Sequence, residues 1–481
     1  MKHITILLFI LLLLVPSFTA LAAKTPATVE TYAGTGVLGL KDGDRLESQF
    51  RFPSFAAVAE DGTVFVSDSK NHLVRKISED GSVSTVGGVT SELNDYGEPA
   101  GGFVDGESGE AMFNEPQGIA VDANDVVYVA DSKNGAIRVI ENNQVSTLID
   151  GLELPTGLVV NGDGELYVTE TLAHRVIKIS TNGAKTIVAG GDYEKRDDWL
   201  LGGYQDGAAE VAQFNEPTGL ALAADDTLYV ADTGNQRIRS ISAGGLVETV
   251  AGTGTETVAD TTYFVGGFEN GPADQARFRS PHGIAITSAG ELYVADTLNH
   301  QIRTISDDEV NTFAGTSEYG FTNEIESRAS FDHPHDVLIV DNGTVIVVDY
   351  WNHSLRSIEP YTLPNGLTND INVVWDDEVM AFDVEPQLVN NRTMLPIRQI
   401  AEAFDYQVVW NQAEKTITFI NGEKTITMKI GEKTIDGDVR SDIDIAPFIV
   451  EGRTLAPLRF VSEAFEKDVI WISDLKTVLI R

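Results

Sequence analysis

Six times along this chain a proline is followed fifteen residues later by an acidic residue: Pro53 and Asp68, Pro116 and Asp131, Pro155 and Glu170, Pro217 and Asp232, Pro281 and Asp296, Pro334 and Asp349. The text around these anchors recurs too, as EPQGIAVDANDVVYVADSKNGAIRVI, EPTGLALAADDTLYVADTGNQRIRSI and SPHGIAITSAGELYVADTLNHQIRTI. A unit copied in this way cannot bury its apolar face alone and must stack on its neighbours, so the repeat decides the architecture before local propensity does. Each copy divides into four short strands separated by turn residues. In the second copy these are Gly118 to Asp122, Val126 to Asp131, Ala136 to Glu141 and Gln144 to Ile149. Four-stranded units with a Gly-rich opening and an Asp after the second strand are the blades of a β-propeller.

The fourth strand has its own text, V-x-T and then apolar residues, at Val83, Val145, Ala184, Val247 and Val310, with Ala184 in place of the first Val in its copy. Nothing comparable follows Ile358, but a copy stands at the other end as VETYAGTG from Val29. The sequence therefore predicts a mainly β chain in which residues 28–359 form a six-bladed propeller. Its N-terminal strand completes blade six and leaves no open edge. The pattern P-x-G-I/L-A followed by Y-V-A-D-T-x-N-x-x-I-R resembles the NHL repeat, clearest at Asp232, Asn235, Arg237 and Arg239. The third copy departs from it with Glu170, Ala173 and Ile177. The repeated Asp and Asn are read as scaffold, because such side chains at turns bond nearby backbone, and the repeated Arg as a bridge to a neighbouring blade.

Composition narrows the function. A formal net charge of −39 argues against nucleic acid, whose binding is driven by cations displacing phosphate counterions, and against anionic lipid. The chain has no cysteine, hence no disulfide and no thiol nucleophile. Residues 1–23 read as a signal peptide: Lys2, the apolar run Ile4 to Val15, and a small-residue exit at Ala20-Leu21-Ala22. The mature chain contains no stretch approaching the ~20 apolar residues of a membrane span. A secreted or cell-envelope location follows as the expectation.

Chain direction alternates within a blade, so inter-blade connections share a face with the loops after each second strand. Insertions fall there at Thr90 to Met112, Asp192 to Gln213, Thr255 to Arg277 and Ser317 to Ser330. They carry the aromatics Tyr96, Phe103, Tyr193, Trp199, Tyr204, Tyr263, Phe264 and Phe268. Aromatics on loops held by a rigid scaffold are recognition candidates. The recurrent Phe113, Phe214, Phe278 and Phe331 are read instead as packing anchors. The residue after each anchor proline belongs at the mouth of the central channel: Ser54, Gln117, Thr156, Thr218, His282 and His335. His282 and His335 on consecutive copies are a candidate metal pair, for Zn2+ or Ca2+, with Asp336 or His333 beside them. Their P-H-G-I and P-H-D-V settings resemble the metal-binding positions of peptidyl-amidating lyases, a likeness that implies three such histidines where this chain has two. Uncharged channel-lining histidines are the other reading. No G-x-S-x-G, H-E-x-x-H or phosphate-cradling loop is present.

After Ile358 the repeat stops, and residues 360–370 (PYTLPNGLTND) read as a linker. A second duplication follows, offset by 61 residues: Arg392, Pro396, Phe404 and Trp410 correspond to Arg453, Pro457, Phe465 and Trp471. Each copy runs R-T-x-x-P-x-R, then an amphipathic segment such as Ile397 to Phe404, then alternating strands such as Lys415 to Ile420. Residues 371–481 resemble the N-terminal stalk domain of copper amine oxidases. No histidine follows His353, so this part lacks an oxidase-type trio of copper ligands, and it reads as a spacer or interaction module. The sequence thus leads to an exported bacterial binding or scaffold protein whose propeller face takes an extracellular or envelope protein or glycan. The rival is a metal-dependent lyase or lactonase at the channel mouth.

Overall fold

The computed structural model describes residues 26–90, 93–94, 97–191, 193–196, 199–340, 343–422, 424–437, 441–467, 469–472 and 475–481. The segment read as a signal peptide and Tyr96 lie outside these residues, as does the side chain of Trp199. The described chain divides between Tyr361 and Thr362 into two compact units. Pro360, taken as the start of a linker, still belongs to the strand Ser354–Pro360.

Among the described residues the first unit is built from six antiparallel sheets, each with four main strands, and a small two-stranded ladder of Lys195–Arg196 with Trp199–Leu200. The second sheet is typical: Pro116–Val121, Val127–Asp131, Ala136–Glu141 and Gln144–Ile149 in order. In each sheet the anchor proline pairs with the acid fifteen residues on, as Pro116 with Asp131 and Pro281 with Asp296. The innermost strands touch in cyclic order, from Pro53–Val58 through the others to Pro334–Ile339 and back to Pro53–Val58. The strand Ala27–Ala33 lies between Ser354–Pro360 and the short strand Glu324–Ile325, with Val29 opposite Ile358. This is a propeller in which the first and last parts of the unit share one sheet.

Apolar side chains from facing sheets fill the gaps between blades. Ala56, Val64, Val66 and Ile77 of the first sheet pack with Leu338, Ile346, Val348 and Leu355 of the last. Each such Val, Leu or Ile side chain contributes about 1.5–3 kcal/mol when fully buried, and the packing closes the ring. The D/N-G motifs at Asp105, Asp206 and Asn270 lead into two-residue strands, Gly106–Glu107, Gly207–Ala208 and Gly271–Pro272. These pair with the outer strands of three blades and cover edges that would otherwise offer unpaired backbone groups.

The repeated polar residues form one internal network per blade. Asp232 accepts hydrogen bonds from the Asn215 amide at 2.7 Å, Asn235 Nδ2 at 2.8 Å and Arg239 Nη1 at 2.7 Å. Arg239 also donates to the carbonyls of Gln213 and Gln205. The arginine thus ties down the segment entering its own blade and does not bridge to the next one, as the sequence had suggested. Arg75, Arg138, Arg303 and Arg356 make the corresponding bonds to Asp68, Asp131, Asp296 and Asp349. In the third blade Glu170 reaches the Glu153 amide at 3.2 Å and Arg175 at 2.6 Å, a different pairing that suits the longer side chain.

The second unit is a pseudo-symmetric duplicate. Arg392–Pro396 pairs antiparallel with Arg453–Pro457, with Met394 opposite Pro457, Leu395 opposite Ala456 and Pro396 opposite Leu455. The register is centred on two positions equivalent under the 61-residue offset, so the two copies face each other across an approximate two-fold. The strands lead into helices Ile397–Ala403 and Leu458–Phe465, whose apolar faces share one core with Phe419, Ile426 and Met428. No described helix is long and apolar enough to cross a membrane.

Candidate functional site

The innermost strands line a channel cavity of about 440 Å³, where Asp336 is the only charged residue among those forming its wall. Four blades place glycine two residues after the anchor proline. A Cβ on Gly118, Gly157 or Gly219 would fall 2.2, 2.1 or 2.2 Å from the carbonyl oxygen of Thr156, Thr218 or His282 on the next blade. The ring is therefore closed backbone to backbone, and only glycine fits. The two exceptions are adjacent: Phe55 in the first blade and Asp336 in the last. Asp336 lies against Gly283 of the blade before and accepts the Ala56 amide of the blade after at 3.1 Å. With no cation bonded to it, burial raises its pKa to about 8.

A second regularity breaks at the same place. The residue opening each 3-10 turn after the second strand donates its hydroxyl to the anchor-proline carbonyl of the next blade. Ser132 bonds Pro155 at 2.6 Å, and Thr171, Thr233 and Thr297 bond Pro217, Pro281 and Pro334 at 2.7 Å each; Ser69 does the same to Pro116. In the last blade the position holds Tyr350. Its ring stacks on His335 at 3.9 Å and 9°, and His335 stacks on His282 at 4.2 Å and 24°. Phe55 reaches His282 at 5.2 Å, and Phe52 lies 5.1 Å from Tyr350 and 5.2 Å from Trp351. Trp351 is 51% exposed and adjoins His333, which meets His300 edge-on. A continuous aromatic and imidazole surface thus crosses the mouth over the fifth, sixth and first blades.

This surface carries little charge. Burial lowers the His282 pKa to about 4 and holds that of His335 well below the usual imidazole value, with His282 and His333 adding to the effect. Burial also raises the Tyr350 phenol to about 12. At neutral pH these groups and Asp336 are uncharged, although the chain as a whole is strongly acidic.

His282 Nδ1 donates to the His335 carbonyl at 3.1 Å, so in the neutral ring Nε2 keeps the free lone pair; His335 Nδ1 has no partner. His300, Asp332 and His333 bring ligand-type atoms within 4.8 Å of one another. There His300 Nδ1 already accepts the His333 amide at 3.1 Å, and His333 Nδ1 bonds Asp332 at 2.7 Å.

Of the other mouth positions, Thr156 and Thr218 are buried and bonded to Thr171 and Thr233 at 2.7 Å each, while Gln117 is half-buried on its strand. The insertion aromatics are tied into the scaffold. Phe103 lies over the guanidinium of Arg138, with Phe113 also 5.0 Å from it. Tyr204 and Phe264 cover Arg237, and Phe268 covers Arg303. Tyr193 donates to the His174 carbonyl and accepts the Phe214 amide, and Tyr263 bonds Glu216. Sequence reasoning missed Phe52, Tyr350 and Trp351 because they lie outside the insertions. The signal available was at Tyr350, which departs from the Ser/Thr that opens the turn in the other copies.

Comparison with known proteins divides the chain in the same way. The NHL repeat matches residues 50–77, 113–140 and 278–305, the teneurin NHL domain 147–242, and the copper amine oxidase N-terminal domain 374–480. Protein SUPPRESSOR OF QUENCHING 1 of Arabidopsis thaliana is 26% identical over 76% of this chain and 35% of its own length. NHL repeat-containing protein 2 of Gallus gallus is 26% identical over 73% and 52%, and human teneurin-4 is 30% identical over 51% and 10%. The chain thus spans about half or less of the length of these relatives. Among solved structures, an auxiliary nutrient binding protein from Bacteroides thetaiotaomicron aligns with a TM-score of 0.52 at 17% identity, covering 70% of this chain and 76% of that one. At that identity the likeness concerns the fold.

Proposed function

From the premise that this chain joins an NHL-repeat propeller to a copper amine oxidase N-terminal-like domain, we propose that it is a binding or scaffold protein, exported by residues 1–23, whose propeller mouth takes a protein or glycan at the cell envelope. The observation that carries this reading is the uncharged aromatic surface of Phe52, Tyr350, Trp351, His335 and His282. Aromatic faces give large contact area at low conformational cost, and the rigid ring presents them without reorganisation. The nutrient-binding description of the propeller from Bacteroides thetaiotaomicron agrees with such a role. The Phe103, Tyr204 and Phe264 region serves as a flanking surface, outside the main contact.

Capture from solubilised envelope fractions by the mature chain tests the proposal. Wild type retains a specific partner, and Tyr350→Ala with Trp351→Ala lowers its recovery at least tenfold while the melting profile is kept. Equal recovery by both proteins overturns it. The second reading, a lyase or lactonase, draws on Asp336, a neutral channel carboxyl able to give a proton near pH 8. Lactone or peptide turnover abolished by Asp336→Asn would establish it. Elemental analysis of the purified chain decides the metal-dependent form, which one equivalent of bound zinc or calcium would favour.

A further inference from the structure

The C-terminal unit carries two grooves related by its approximate two-fold, with cavities of about 570 and 640 Å³. The first is lined by Trp410, Arg398 and Asp383 from the first copy, closed by Arg453 of the second. The other is lined by the equivalents Trp471, Arg459 and Asp444 from the second copy, closed by Arg392 of the first. Each groove is thus completed by the opposite copy through an ion pair: Arg453 Nε to Asp383 Oδ2 at 2.6 Å, and Arg392 Nε to Asp444. These pairs link the copies across each groove; the acidic and basic side chains lining the first groove balance, whereas Arg392 and Arg459 outnumber Asp444 in the second.

Three features point to the class of ligand. Trp410 and Trp471 are half-buried, backed on one side by the domain core and lining a groove. The Trp410 N–H is already committed to Gln412 Oε1 at 2.8 Å, so this indole offers its ring rather than its donor. Around it stand donors and acceptors of both kinds, and two of the acceptors have no partner: Gln399 Oε1 in the first groove and Asp444 Oδ1 in the second. A flat apolar platform ringed by hydrogen-bonding groups of both kinds matches a sugar ring, which has an apolar C–H face and a hydroxyl edge that both donates and accepts. Occurrence of the set twice in one domain suits a ligand built of identical units.

We propose that these grooves are two oligosaccharide-binding sites, each taking a short segment of a neutral polysaccharide with one sugar ring on Trp410 or Trp471. The proposal does not depend on the reading of the propeller mouth. With two such sites, one domain holds two sugar segments at once.

Titration calorimetry of the full mature chain with cellohexaose, chitohexaose and xylohexaose tests this. At least one of the three binds with two sites per chain. Trp410→Ala or Trp471→Ala leaves one site, and the double variant leaves none while its circular dichroism and melting profile match wild type. Trp410→Phe with Trp471→Phe keeps two sites at several-fold weaker affinity, which separates loss of the platform from loss of the fold. No binding of any of the three sugars overturns the proposal, as does binding that survives the double alanine variant. Uptake of hexalysine at these grooves with none of the sugars likewise overturns it and makes the site a peptide site. The mouth variants leave these site counts unchanged, so failure here is distinguishable from failure at the propeller.

Discussion

At the scale of single residues, a side chain in this propeller is informative when it departs from its copies. Asp232 and its counterparts are fully buried against arginine, and their repetition marks scaffold. Asp232→Ala strands Arg239 without its counter-charge and should cost about 3–5 kcal/mol in denaturant unfolding. Asp336 occurs once and has no such partner. Its folded pKa of about 8, against an ordinary 3.8, means that the native state holds a proton the unfolded chain releases. Stability from this group is therefore full below about pH 4 and falls as pH rises through 8. Asp336→Asn, which keeps an acceptor for the Ala56 amide, should melt with wild type at pH 4 and above it at pH 8. A gap of a few kcal/mol is expected, at about 1.4 kcal/mol per pH unit. The same melting temperature difference at both pH values would refute the assignment. The exceptional position beside Pro334 was legible in the sequence. That Asp336 lies between Gly283 and Ala56 was not, because both contacts cross between blades.

At the scale of elements, the alternation of short apolar runs and turns made the strands and the propeller class readable, since strand patterning and turn chemistry are local. The roles of the insertions were less readable. Phe103, Tyr204 and Phe268 look like free aromatics in the text, yet each covers an arginine whose position depends on the ring being closed. Phe103→Ala should therefore lower the melting temperature while leaving ligand capture intact. The strand Ala27–Ala33 fills the last sheet beside Ser354–Pro360. Deleting it exposes a long apolar edge, and size-exclusion chromatography of the deletion should show aggregates in place of the wild-type peak. A monomer with an unchanged melting profile would mean that the strand is dispensable.

At the scale of the whole molecule, the two units solve the same problem differently. The propeller repeats a blade around a ring, and its proposed site lies where the fifth, sixth and first blades differ from the rest. The C-terminal unit repeats a half once, and its proposed sites lie where the halves complete each other. Neither arrangement follows from composition: the charge of −39 describes the surface, whereas the propeller mouth is an uncharged interior exposed at one end. The most direct test of the account compares two variants in one capture experiment on envelope fractions. One carries Tyr350→Ala and Trp351→Ala at the mouth; the other carries Phe103→Ala and Phe268→Ala on the insertions. Loss of the captured partner in the first with retention in the second is the predicted result, and the reverse pattern would contradict it.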